Sequence, residues 1–213
     1  MPPAMADPST YASTRLRDIK ADPDTWADVW RWRGEFDAAQ TPRLQREVLG
    51  LARQIGADSH LAVLAQAFAS SDAEVRFDAA HSLALLPEDR MRDGFALGFA
   101  ASDPETRADV LSIIPQLQPH LRAALLETAL AAGASDVQAR AIEMLSQHPS
   151  PPFFSALIQG LRTVSSENRP ALDDAIEEIV QEKFSTFEQG RRWWEENRGH
   201  YDDLMSLIPQ ASE

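Results

Sequence analysis

Residues of like size recur every 31 positions through the middle of this chain, which points to a fold made by stacking one small unit on itself. Four segments carry the period: Ser59 to Pro87, Arg90 to Gln118, Leu121 to Pro149 and Pro152 to Val180. In the first half of each, a large apolar residue (Leu64, Phe95, Leu126, Leu157) precedes by three a small one (Ala67, Gly98, Ala129, Gly160). A second large residue follows at once: Phe68, Phe99, Leu130, Leu161. In the second half the apolar columns are Ala79, Val110, Ala141, Leu172, then Leu83, Ile114, Leu145, Ile176.

Columns four apart have helical spacing, and the alternation of half-buried strands is nowhere sustained. Each period has room for two short helices and their turns, so the fold class is all-α and the unit is a helical hairpin. A small side chain at a fixed place lets a neighbouring helix approach, and the large one beside it fills the gap. The punctuation agrees. Asp72 and Asp103 stand where a carboxylate can cap a second helix, and Pro104 suits a first helical turn. Pro87, Pro119 and Pro149 fall near hairpin ends.

The pattern Asp72-x-x-Val75-Arg76-x-x-Ala79-Ala80-x-x-Leu83, echoed by Asp103-x-x-Thr106-Arg107-x-x-Val110-Leu111-x-x-Ile114, resembles the HEAT repeat. It is closest to the short form found in the phycobilisome-lyase group and in many bacterial proteins. The resemblance covers residues 59–183 and runs back into a degenerate repeat through Leu44, Val48, Ala52 and Ile55. It implies a right-handed α–α superhelix of about five hairpins closed by an aromatic C-terminal cap. Ala134 and Gln138 replace the Asp and Arg of the third repeat, and Asn168 with Pro170 alters the fourth, which breaks the expected Asp–Arg ladder. The domain reading is a flexible lead-in over 1–23, repeats over 24–184, and capping helices and tail over 185–213. The caps are read from rings: Trp26, Trp30, Trp32 and Phe36 on a first helix, and Phe184, Phe187, Trp193, Trp194 and Tyr201 near the other end.

Charge narrows the partners. Asp and Glu number 33 against 20 Lys and Arg, a formal net charge of −13. That balance opposes nucleic acid, whose binders neutralise phosphates with basic side chains. No apolar run suits a membrane helix, and the start of the chain lacks the basic and apolar segments of a signal peptide. The absence of cysteine removes disulfides, thiolate chemistry and Cys-based zinc sites, and fits a cytoplasmic protein. Only Lys20 and Lys183 are lysines, which with the high Ala content suggests a bacterial origin.

No motif for phosphate binding, zinc proteolysis or serine nucleophiles is present, so no catalytic, cofactor or metal residue is assigned. The five histidines share no column, and His148, aligned with Leu86, Leu117 and Ile179, is read as a partly buried helix-end residue. Glu74, Glu105, Asp136 and Glu167 form an acidic column that complements helix dipoles or faces a cation or partner. Arg76, Arg107 and Arg169 form a column that either ladders to Asp72 and Asp103 or binds anions. In HEAT-type stacks the second helices line the concave surface. The expected partner-binding residues are therefore Glu74, Asp78, His81, Glu105, Asp109, Glu143 and Asp174, with Trp193 and Trp194 as a possible anchor because two adjacent rings are not both expected to face inward. The expectation is a non-catalytic scaffold presenting an acidic face to a peptide or protein, a basic one by charge. The alternatives are a HEAT-like enzyme or accessory such as a bilin lyase or isomerase, and a structural assembly subunit.

Overall fold

Helices form wherever the period placed them, and a side-chain tether fixes the turn inside each of the four hairpins between Ser59 and Val180. The computed structural model describes residues 8–26, 28–39 and 41–208. Among these the fold is all-α, with one isolated antiparallel bridge between Tyr201 and Leu207 and no strand. The helices are α1 (Pro8–Ala21), α2 (Pro23–Trp26), α3 (Val29–Ala38), α4 (Pro42–Ile55), α5 (Ala57–Phe68), α6 (Ala73–Ser82), α7 (Glu88–Phe99) and α8 (Pro104–Ile113). Then follow α9 (Pro119–Leu130), α10 (Ser135–Gln147), α11 (Pro151–Gly160), α12 (Arg169–Val180) and α13 (Phe187–Asn197). The chain divides into two compact units, Met1–Ile113 and Ile114–Glu213. Within the first, α3, α5 and α7 pack in one row and α4, α6 and α8 in another. Within the second, α9, α11 and α13 make one row, and α10 packs on α12.

The apolar columns are the core. Leu64, Phe95, Leu126 and Leu157 are buried, as are Ala79, Val110, Ala141, Leu172 and Leu83, Ile114, Leu145, Ile176. The small column marks the closest approach. A Cβ on Gly98 would sit 2.6 Å from Val110 Cγ2 and 3.3 Å from Phe68 Cζ. On Gly160 it would sit 2.9 Å from Leu130 Cδ1 and 3.3 Å from Leu172 Cδ2, the equivalent neighbours two repeats on. Volumes compensate along the sequence: Gly98 goes with Val110 and Gly160 with Leu172, whereas Ala67 goes with Ala79 and Ala129 with Ala141.

One position of α6, α8, α10 and α12 braces the turn before it. Arg76 Nη1 donates to Ser70 O at 2.9 Å, and Arg107 Nη1 to Ala101 O and Ser102 O at 2.7 and 3.0 Å. Gln138 Nε2 donates to Leu130 O and Ala132 O at 3.1 and 2.8 Å, and Arg169 Nη1 to Leu161 O at 3.4 Å. These carbonyls lie at or just beyond a helix end, where no intrahelical donor reaches them. The same side chains reach forward. Arg76 Nε bonds Asp103 Oδ2 and Thr106 Oγ1 at 3.2 and 3.0 Å, and Arg169 Nη2 bonds Phe184 O at 3.0 Å. Gln138 Oε1 instead accepts from Ser165 N and Asn168 Nδ2 at 3.0 and 3.3 Å.

Asp72 caps α6 through Glu74 N and Val75 N. Asp103 accepts from Thr106 Oγ1 and N, and those bonds with Arg76 hold its carboxyl below the usual range. Asn168 provides no such cap, because its amide is committed to Ser135 and Gln138.

Several expectations change. Pro8–Ala21 is helical within the segment read as a lead-in, its buried Tyr11 donating to Glu35 Oε2 at 2.8 Å. Residues 1–7 and 209–213 and the Trp30 side chain lie outside the described residues. Trp26 and Trp32 fall on two helices rather than one, both buried, with Trp32 Nε1 donating to Trp26 O at 2.8 Å. Glu167 precedes α12 instead of lying in its first turn, because the helix begins at Arg169-Pro170. His148 is exposed, unlike the buried Leu86 and Leu117 of its column. Those two follow 3₁₀ turns (Leu83–Leu85, Ile114–Gln116), whereas α10 stays α-helical to Gln147 and ends on His148 at φ −137° and ψ 69°.

The size compensation is testable by a double-mutant cycle. Gly98→Ala is expected to destabilise by about 1–3 kcal/mol through overpacking against Val110. Adding Val110→Ala, which recreates the Ala67/Ala79 pairing, should cost about 1 kcal/mol less than the sum of the single changes in urea unfolding. Strict additivity would show that the two positions do not share one gap.

Candidate functional site

The residues left outward by the core columns form the candidate binding face. In the first unit, Glu74, Asp78 and His81 lie along α6 and Glu105 and Asp109 along α8, the helix packed beside it. The α6 acids are not bare. Arg46 of α4 donates Nη1 to Glu74 Oε2 at 2.8 Å and Nε to Asp78 Oδ2. Sequence reading missed Arg46, which sits in the degenerate repeat where no column drew attention to it. His81 lies over Phe77, ring centroids 3.9 Å apart, with Nδ1 3.1 Å from Phe77 O. Phe77 of α6 and Leu85 of the 3₁₀ turn that follows it are exposed, so the face carries apolar groups among its charges.

A groove of about 290 Å³ runs between α4 and α6, with Arg46, Gly50 and Arg53 on one wall and Asp78, His81 and Leu85 on the other. Beneath it, Ser82 Oγ donates to Ala79 O at 2.8 Å, so it accepts the Nε2 proton of His60 at 2.9 Å. Burial, reinforced by the positive charge of Arg53, lowers the His60 pKa to about 4.

In the second unit, Glu143 pairs with Arg140 and accepts from Gln147 Nε2 at 3.0 Å, and Asp174 is exposed on α12. A cleft of about 310 Å³ opens beside α10, lined by Arg140, Met144 and Gln147. These positions are two repeats on from Asp78, Ser82 and Leu85 of the α4–α6 groove. Arg122, Leu126, His148 and Phe153 complete its walls over Ile114 and Pro115. The only sequence signal for it was His148, whose column predicted burial.

Trp193 and Trp194 are both half-buried and share one neighbour. Phe154 lies 6.2 Å from the first ring and 4.9 Å from the second, edge-on to both, and Tyr201 lies about 6 Å from each. Phe184 adds a contact at 5.5 Å to Trp193. Adjacent rings thus join a single aromatic cluster, each leaving part of its surface in solvent. Exposed Leu204, Leu207 and Ile208 follow.

Among the described residues, no helix is long and apolar enough to cross a membrane. Comparison with known proteins finds no family model, no curated protein and no solved structure that matches the chain.

The neutral His60 gives a pH signature. Its folded pKa lies below the unfolded value of about 6.5, so stability is full above that pH and falls as pH drops towards about 4. Urea unfolding is expected to show about 3 kcal/mol of acid destabilisation that disappears in His60→Gln. Equal pH slopes in the two proteins would contradict a buried neutral imidazole.

Proposed function

We propose that this protein is a non-catalytic, HEAT-like helical-repeat scaffold of the bacterial cytoplasm that uses the outer face of its second helices to hold a peptide or protein. The observation that carries this reading is the division of labour at a 31-residue period. Buried columns and turn-bracing side chains recur, while the outward positions of α6, α8, α10 and α12 beyond the acidic column of Glu74, Glu105 and Asp136 vary in charge and size. Within each unit a surface of that kind is rigid because its frame repeats, and selective because most of its outward residues do not. Glu74, Asp78, His81, Glu105, Asp109, Glu143 and Asp174 belong to this face. The net charge of −13 favours encounter with a basic partner. Arg46 and Arg140 neutralise some of the acids, and Phe77 and Leu85 supply apolar contact. Exposed parts of Trp193 and Trp194 offer a second contact region in the same role.

The test is an affinity pull-down from the native host with wild type and the variant Asp78→Lys, His81→Ala, Asp109→Lys, Glu143→Lys. A protein held by wild type and lost by a variant with an unchanged circular dichroism spectrum is the expected result. Equal retention by both would place binding elsewhere. A coloured or small-molecule ligand in place of a protein would favour an enzyme or enzyme accessory.

A further inference from the structure

The cleft beside α10 has a chemistry at odds with the rest of the chain. The sequence carries 33 Asp and Glu against 20 Lys and Arg, yet no carboxylate lines this cleft and two arginines do. Arg122 is the informative one. It is half-buried, its Nε donates to Leu117 O at 2.8 Å, and among the described residues no carboxylate stands within ion-pair distance. Removing a guanidinium from water without a counter-charge is costly, and in so acidic a chain a partner would be easy to supply. The Nε bond fixes the plane of the group, and its two Nη atoms remain for a planar acceptor. Arg140 stands on the same cleft, steadied by Glu143 at its outer side. His148 joins them because α10 ends without the 3₁₀ turn that buries Leu86 and Leu117.

Beneath these groups the walls are apolar. Leu126 is buried, and Met144 and Phe153 are half-buried, two side chains that adapt to an inserted alkyl or ring body. A volume of about 310 Å³ is at the small end of ligand sites. We propose that this cleft binds a small organic acid, an apolar body of about eight carbons ending in a carboxylate held by Arg122 and Arg140. The assignment stands apart from the scaffold reading, since it requires neither a protein partner nor the α6 face.

Calorimetric titration of the full chain with octanoate, octan-1-ol and octylammonium tests it. Octanoate is expected to bind one to one and at least about tenfold more tightly than the alcohol, with no binding of the amine. Arg122→Ala should weaken octanoate about tenfold and leave the alcohol unchanged. Because Arg122 also braces Leu117, Met144→Glu provides a second variant, which sets a carboxylate against the ligand and should abolish octanoate binding while the helical spectrum persists. The proposal is overturned by the absence of saturable octanoate binding, by equal affinity for the alcohol, or by folded variants that bind as wild type does. N-acetyl-leucyl-leucine binding more tightly than octanoate would overturn it in favour of a peptide carboxy-terminus.

Discussion

A side chain in the first turn of α6, α8, α10 and α12, bonded back to carbonyls of the turn before it, is the constraint on which the rest depends. A helical hairpin of this size leaves carbonyls at and just beyond the end of its first helix with no backbone donor. Arg76, Arg107, Gln138 and Arg169 each supply one. Arg76 and Gln138 also bond to the turn of the following helix pair inside the same unit, and Arg169 to the segment that leads into α13. The bonds therefore fix the angle within a hairpin and the step to its neighbour. Thr106, Gln138 and Asn168 are buried polar residues because they belong to this arrangement, where leaving one unsatisfied would cost more than the bond contributes.

With the turns fixed, packing follows. The small column admits the facing helix, and the residue opposite grows or shrinks to match, Val110 and Leu172 against glycine, Ala79 and Ala141 against alanine. What remains is the surface that neither the bracing nor the packing uses. On α6 that surface mixes Arg46-paired acids with Phe77 and His81. Beside α10 it becomes a cationic cleft, and a local change in backbone creates it: the straight run of α10 to Gln147 turns His148 outward.

The buried columns, the Asp72 and Asp103 caps and the helical class were all legible in the sequence, because each follows from spacing or from the chemistry of one residue. Chemistry spread over several residues was not. Ala134 and Gln138 looked like breaks in an Asp–Arg ladder. In the structure Gln138 performs the bracing of an arginine with its amide, and Ser165 and Asn168 stand where Asp103 and Thr106 stand two repeats earlier. Helix α1 was hidden because its anchor, Tyr11, needs a partner at Glu35 that no local pattern announces. The division after Ile113 was hidden because Ile114 continues its buried column without a break. The cleft was hidden because it depends on how α10 ends, and a 3₁₀ turn differs from a last α-turn by too little for residue type to decide.

The bracing role of Gln138 is the most direct point of attack. Gln138→Leu keeps the size and helix preference of the side chain but strands Leu130 O, Ala132 O and the Ser165 amide together, and takes one of the bonds of Asn168 Nδ2. Urea unfolding should show a loss of about 2–4 kcal/mol, since several buried groups lose their partner at once. A variant within about 0.5 kcal/mol of wild type would show that the hairpins are held by apolar packing alone and that the recurring hydrogen bonds are incidental.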